Sequence, residues 1–292
     1  FFKVFVACRL VPVNKTSPDD LPPGVQPDAR PLNIGGTERR AITRAYFDED
    51  LQATYNDIVG PVQNGVGLKN SISITAIGIQ AAMDANPDFG VIQGDIKNGY
   101  NEISRKSVLD AIRGSGQLDD TLVFSRALLE VDAYVGMGSG TSLHTTPFTM
   151  NEGMHQGAIE SSWFFSLGCN AAFQNHRGAL APNGGGVAAI IDDNYGFGHP
   201  ADIFPAHAAF TADLALVGLE LQSAKSQCYI REGLRDANWD ALRGDIPNGI
   251  ITSPDGVVSH GITVCNVPVG SPEFVAGYLD QRLVKITTGF AR

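Results

Sequence analysis

Two apolar runs that each stop on acid constrain this chain most. Phe89-Gly90-Val91-Ile92-Gln93-Gly94 ends at Asp95, and Val187-Ala188-Ala189-Ile190-Ile191, preceded by Gly184-Gly185-Gly186, ends at Asp192-Asp193. Short apolar runs bounded by turn residues read as buried strands. Asn194-Tyr195-Gly196-Phe197 then reads as the returning arm of a hairpin. A carboxylate at a strand end is held rigidly at the rim of a sheet. If the two strands are neighbours, three carboxylates converge, and like charges that close need a cation to stay ionised. Mg²⁺ suits such a group, since it takes one or two carboxylates plus substrate phosphates. Two ions together clamp the attacking and leaving oxygens of an in-line phosphoryl displacement. Each Asp taken alone is an ordinary turn former; the adjacent pair directly after an apolar run argues for more.

The rest of the chain alternates strand and helix patterns. Apolar pieces around a turn-rich tip within the first 30 or so residues predict a hairpin with a long loop. Helices are expected over Thr37–Tyr46, over Ser71–Ala85 ahead of Asn86-Pro87, and after Ser104 as a cap. Residues 131–151, with Gly136, Gly138 and Gly140, read as strands and turns. A long apolar helix is expected from Gly157 through Phe173, and another from Pro205 to Leu219. Irregular interleaving of this kind is the α+β class.

Composition excludes several alternatives. The 292 residues are 43% hydrophobic and 18% charged, which is neither a disordered tail nor a coiled coil. No uninterrupted apolar stretch reaches the length of a membrane-spanning helix. Cys8, Cys169, Cys228 and Cys265 lie far apart without metal-ligand spacing, so an intracellular, reducing location is expected rather than secretion. The chain opens without Met or a leader pattern, which reads as the interior of a longer polyprotein with further domains. The net charge of −10 speaks against a nucleic-acid-binding module taken on its own.

Ordered motifs point the other way. Asp95-Ile96-Lys97-Asn98-Gly99-Tyr100-Asn101-Glu102-Ile103-Ser104-Arg105 resembles the first catalytic motif of reverse transcriptases, especially those of non-LTR retrotransposons. Asn151-Glu152-Gly153-Met154-His155-Gln156-Gly157 is similar to that family's next motif, and Ile190-Ile191-Asp192-Asp193 to its aromatic-x-Asp-Asp hairpin. Gly218-Leu219-Glu220-Leu221 with Lys225-Ser226 looks like the fourth motif. Val264-Cys265-Asn266-Val267-Pro268-Val269-Gly270 resembles the primer-gripping hairpin. Upstream, Arg30-Pro31-Leu32 and Gln63-Asn64-Gly65-Val66-Gly67 match fingers segments. The resemblance spans roughly residues 10–275 in the family's order.

The resemblance implies a right-hand polymerase with fingers over 1–89 and 128–150 and a palm over 90–127 and 151–270. An antiparallel palm sheet would pack on helices, with a truncated thumb begun over 271–292. It implies an RNA-directed DNA polymerase working with an RNA template, a DNA primer and deoxynucleoside triphosphates. Asp95, Asp192 and Asp193 would hold two Mg²⁺ ions, with Mn²⁺ as the alternative, and Lys225 would protonate departing pyrophosphate. Lys15 and Arg30 would hold the triphosphate, while Gln156 and Gly157 would shape the nucleotide pocket. Tyr100 would exclude a 2′-hydroxyl by contact; its plainer reading is core packing beside Ile103. Arg30, Arg39, Arg40, Arg44, Lys97, Arg105 and Lys106 are candidates to line a nucleic-acid channel, giving weak, salt-sensitive binding.

Three departures mark divergence from the family pattern. Ile190 stands where an aromatic is usual, Ala158-Ile159-Glu160 replaces Asp-Pro-Leu, and Cys265-Asn266 replaces Leu-Gly. An inactive nucleic-acid-binding relic and an RNA-dependent RNA polymerase are the alternative readings. Gly136-Met137-Gly138-Ser139-Gly140 lacks dinucleotide-loop spacing.

Overall fold

Breaker clusters and apolar periodicity set the element order. The computed structural model describes residues 7–14, 21–22, 25, 29–137, 144–231 and 260–290. Strands β1 (Cys8–Asn14) and β2 (Ala29–Gly35) precede helices α1 (Thr37–Tyr46), α2 (Glu49–Val59) and α3 (Ser71–Ala85). Strand β3 (Gly90–Asp95) leads through α4 (Gly99–Glu102) to α5 (Arg105–Ser115) and α6 (Leu122–Leu129). After β4 (Ala133–Met137) and β5 (His144–Met150) come α7 (Ser161–Gly168) and α8 (Asn170–Leu180). Next are β6 (Gly186–Ile190), β7 (Asp193–Gly198), α9 (Pro200–Leu216) and β8 (Gln227–Ile230). The hairpin β9 (Gly261–Val264) and β10 (Val267–Gly270) and helix α10 (Pro272–Phe290) complete the described chain.

Two units divide the chain: Phe1–Ile58 with Asn98–Cys169, and Val59–Lys97 with Asn170–Arg292. These crossings differ from the divisions at 89, 127, 150 and 270 expected from sequence. The first unit carries a sheet in the order β2-β1-β4-β5, with β1 and β4 parallel and the other pairs antiparallel. In the same unit, Phe47, Tyr55, Trp163 and Phe164 form a chain of ring contacts with centroids 5.7–5.8 Å apart. Ser104 caps α5, its hydroxyl accepting from the Ser107 amide at 3.3 Å.

The second unit is built on an antiparallel sheet in the order β6-β7-β3-β8. Strand residues alternate between its faces. Val91, Tyr195 and Tyr229 pack on one face with Ile79 and Met83 of α3 and with Ile262, Val264 and Val269 of the β9–β10 hairpin. On the opposite face Gly196 lets the His176 ring of α8 approach; a Cβ there would stand 3.0 Å from that ring. Phe210 of α9 stacks on the same His176 at 4.6 Å.

Two helix expectations need correction. The apolar run expected to be one helix from Gly157 begins at Ser161 and breaks at Cys169, whose amide bonds to the Phe165 carbonyl at 3.2 Å. Residues 151–160 are instead a clamped loop. Helix α9 starts at Pro200, ahead of the expected Pro205, because His199 caps it by accepting from the Ala201 amide at 3.3 Å. Proline is tolerated in a first helical turn, where its missing N–H has no partner to lose. The four cysteines are free thiols, and among the described residues no helix is long and apolar enough to cross a membrane.

Candidate active site: opposed carboxylates at adjacent strand ends

The two apolar runs that end in acid, β3 and β6, lie in one sheet but are not neighbours: the returning strand β7, which opens at Asp193, runs between them and pairs with β3. In the β3–β7 register Asp95 stands directly opposite Asp193. Directly opposed residues share a face of the sheet, with Cβ atoms about 5 Å apart. By strand alternation, the pair occupies the face of Val91 and Tyr195, which also carries the β9–β10 hairpin. Asp95, Asp192 and Asp193 are all half-buried.

Backbone bonds on both sides hold Asp95. Its amide donates to Ser226 Oγ at 3.2 Å, and its carbonyl accepts from the Gln222 amide at 2.7 Å. The 220–226 segment thus fastens the end of β3. Lys225 lies on that segment in a short 3₁₀ turn with its side chain exposed. Alongside, Lys97 pairs with Glu220 at 3.2 Å on the surface, an exposed contact of small energy.

Asp192 sits in the two-residue turn between β6 and β7. Its predecessor Ile191 has φ 60°, a left-handed conformation that a β-branched residue rarely adopts. The buried Gln63 side chain grips this residue from both sides. Its Oε1 accepts from the Ile191 amide at 2.7 Å, and its Nε2 donates to the Ile191 carbonyl at 3.1 Å. Gly65 closes against the same turn, where an added Cβ would lie 2.6 Å from the Ile191 nitrogen. The family resemblance assigned Gln63–Gly67 to fingers, and this service to the acidic turn went unread. The signal was the Gln-x-Gly spacing, which sequence alone does not pair with a turn 128 residues away.

On the same face, Cys265 Sγ lies 3.2 Å from Asp193 Oδ2, and the Cys265 amide donates to Tyr195 Oη at 3.2 Å. Cys265 and Asn266, with φ 45° and 70°, form the tight turn of the β9–β10 hairpin. Burial first, then the Asp193 charge, pushes the Cys265 thiol up to about 12, so it is a protonated donor at neutral pH.

The candidate nucleotide residues lie in the first unit. Arg30 is exposed on β2 opposite Val13; Lys15 lies outside the described residues. The Tyr100 hydroxyl is 2.8 Å from Ser162 Oγ, and its half-buried ring meets Phe165 at 5.2 Å. Gln156 is half-buried and Gly157 exposed. The Gln156 carbonyl accepts from the Asn33 amide at 2.8 Å, and Gly157 has φ 100°. Gly157 lines a small depression of about 180 Å³ together with Leu32, Arg40 and Ala158 among others.

Two residues proposed for a channel are buried instead. Arg39 donates to Glu160 Oε1 at 2.5 Å and to His155 Nδ1 at 2.7 Å. A guanidinium only donates, so His155 must accept at Nδ1 and carry its proton on Nε2. Burial, then the Arg39 and Arg105 charges, lowers its pKa to about 3. Arg105 spends its guanidinium on the carbonyls of Gly153, Met150 and Leu129. Both cations therefore fix the 151–160 loop, and Glu160, a departure from the family pattern, is the buried partner of Arg39. Arg40, Arg44, Lys97 and Lys106 remain exposed.

Hard carboxylate oxygens at Asp95 and Asp193 fit Mg²⁺ or Mn²⁺ better than softer metals. Among the described residues no three of His, Cys, Asp and Glu gather into a ready cage. A two-carboxylate platform of this kind leaves the remaining positions to water and phosphate.

No known family profile and no curated protein matches this chain. Solved structures do. A truncated apo telomerase from Candida tropicalis aligns with TM-score 0.57 and 12% identity over 78% of this chain and 51% of its own. Telomerase from Candida albicans, solved with a fragment of telomeric RNA, gives 0.62 and 11% over 92% and 44%. A further apo telomerase from Candida tropicalis gives 0.57 and 10% over 78% and 45%. This chain thus spans about half the length of those proteins or less. At such low identity the likeness shows a shared fold alone.

Proposed function

We propose that this chain is the fingers and palm of an RNA-directed DNA polymerase of the non-LTR retrotransposon type, joining deoxynucleotides to a primer 3′-hydroxyl. One observation carries the reading: Asp95 and Asp193 oppose each other on adjacent strands, beside Asp192 on a clamped turn. Asp95, Asp192 and Asp193 would hold the metals, with one cation shared by the opposed Asp95 and Asp193. Two Mg²⁺ ions, or Mn²⁺, supply the Lewis acidity that lowers the hydroxyl pKa and offsets charge on pyrophosphate. Lys225, exposed on the segment that fastens Asp95, protonates the leaving group or neutralises it.

In this reading Tyr100 excludes a 2′-hydroxyl, Gln156 and Gly157 shape the nucleotide pocket, and Arg30 and Lys15 meet the triphosphate. The template is RNA and the primer DNA. The fold's likeness to telomerase supports the polymerase class. The ordered motifs support the retrotransposon type and a setting within a longer polyprotein. The net charge of −10 makes nucleic-acid binding by this chain weak and salt-sensitive.

Primer extension on an RNA template tests the proposal. Mg²⁺-dependent incorporation of deoxynucleotides, lost on chelation, is the expected result. Equal use of ribonucleotides would favour an RNA polymerase. Template binding without any extension would favour a non-catalytic relic.

A further inference from the structure

Gln63 is distant in sequence from every acidic residue of the site, yet both polar atoms of its side-chain amide bond to the acidic turn. Oε1 accepts from the Ile191 amide at 2.7 Å and the Gly65 amide at 3.1 Å, while Nε2 donates to the Ile191 carbonyl at 3.1 Å. Gln63 is 6% exposed, so these bonds form away from solvent. Its backbone is equally fixed. The Asn64 amide donates to the Ala189 carbonyl at 2.7 Å, and the Ala189 amide to the Val62 carbonyl at 2.8 Å, laying this segment beside β6.

What Gln63 holds is a residue out of its preferred conformation. A β-branched side chain at φ 60° is strained and persists only where surroundings over-determine it. Gln63 supplies that determination by satisfying both the N–H and the C=O of Ile191. Glycine would adopt the same φ without strain. The next residues in the chain are Asp192 and Asp193.

We infer that Gln63 is a positioning residue for the metal carboxylates, locking Ile191 so that Asp192 and Asp193 are presented toward Asp95. The inference rests on the proposed role of those carboxylates. Gln63 acts through the turn, by its bonds to Ile191. If so, relieving the strain at Ile191 should compensate for losing Gln63, which a general packing role would not allow.

The test uses the whole chain and Mn²⁺ as probe, with affinity read by proton relaxation and amide exchange by NMR. Gln63→Leu should weaken Mn²⁺ binding on the order of tenfold and speed exchange of the Asp192 and Asp193 amides. Adding Ile191→Gly should return both to within about threefold of wild type. Should Gln63→Leu not fold, Gln63→Glu keeps an acceptor for the Ile191 amide and loses the donor; it should show the same rescue. Unchanged amide exchange in the Gln63 variant, or no rescue by Ile191→Gly, overturns the inference while leaving the metal site standing. Absence of Mn²⁺ binding in the wild type instead defeats the metal reading, and a metal-positioning role with it.

Discussion

The thiol of Cys265 donates to Asp193 Oδ2 across 3.2 Å, joining the turn of one hairpin to the acidic strand of another. Burial and the nearby carboxylate hold that thiol near 12. In chelator-treated buffer at pH 8, Cys265 should therefore alkylate slowly with iodoacetamide despite its partial exposure. Asp193→Asn removes the charge, lowers the thiol pKa and should speed the reaction several-fold. Mass-spectrometric rates that are equal in the two proteins would contradict this.

Arg39 and Glu160 are a buried pair, with side chains 7% and 4% exposed. Arg39→Met alone strands Glu160 and should cost about 3–5 kcal/mol in urea unfolding. Arg39→Met combined with Glu160→Leu should recover most of that loss, because two apolar groups then replace two ions. Additive losses in the double variant would show that the pair is not coupled.

Three buried histidines make stability depend on pH. Burial is the first cause in each: His155 and His176 fall to about 3 and His207 to about 4. The unfolded chain takes up these protons near pH 6.5, whereas the folded chain resists them. Stability is therefore full above that value and declines as pH falls toward 4, by about 1.4 kcal/mol per pH unit per histidine. Among the described residues neither ring nitrogen of His176 has a partner, so His176→Phe should fold and flatten the slope. Urea midpoints at pH 7.5 and 5 decide it; an identical drop in both proteins goes against this account.

Gly153 has φ 63°, and a Cβ there would meet the Asn101 carbonyl oxygen. Gly153→Ala should destabilise the first unit by on the order of 3 kcal/mol, with Arg105 losing its bond to the 153 carbonyl. A Tm unchanged within 2 °C, roughly 1 kcal/mol or less for a chain of this size, would refute the close approach.

What the sequence made legible was local or strongly patterned. Helices over Thr37–Tyr46 and Ser71–Ala85 stand at the bounds their breakers predict, and Ser104 caps as expected. Apolar runs ending in acid marked β3 and β6 as strands, but they are not neighbours; Asp95 meets Asp193 because the returning strand β7 lies between them. Long-range partners were not legible. Arg39 finds Glu160 across 121 residues and Cys265 finds Asp193 across 72, and no local pattern encodes either meeting. Basic residues read as a channel because charge is usually exposed; burial turned Arg39 and Arg105 into loop anchors. The apolar helix from Gly157 failed because backbone bonds at Gln156 and Ala158 fix that stretch as a loop.

Mn²⁺ titration of the wild type, Asp95→Asn and Asp193→Asn, followed by proton relaxation, addresses the shared cation most directly. The opposed pair predicts that each single substitution weakens binding at least tenfold and that the double variant is little worse than either. Wild-type affinity retained in both single variants would contradict a cation held between Asp95 and Asp193.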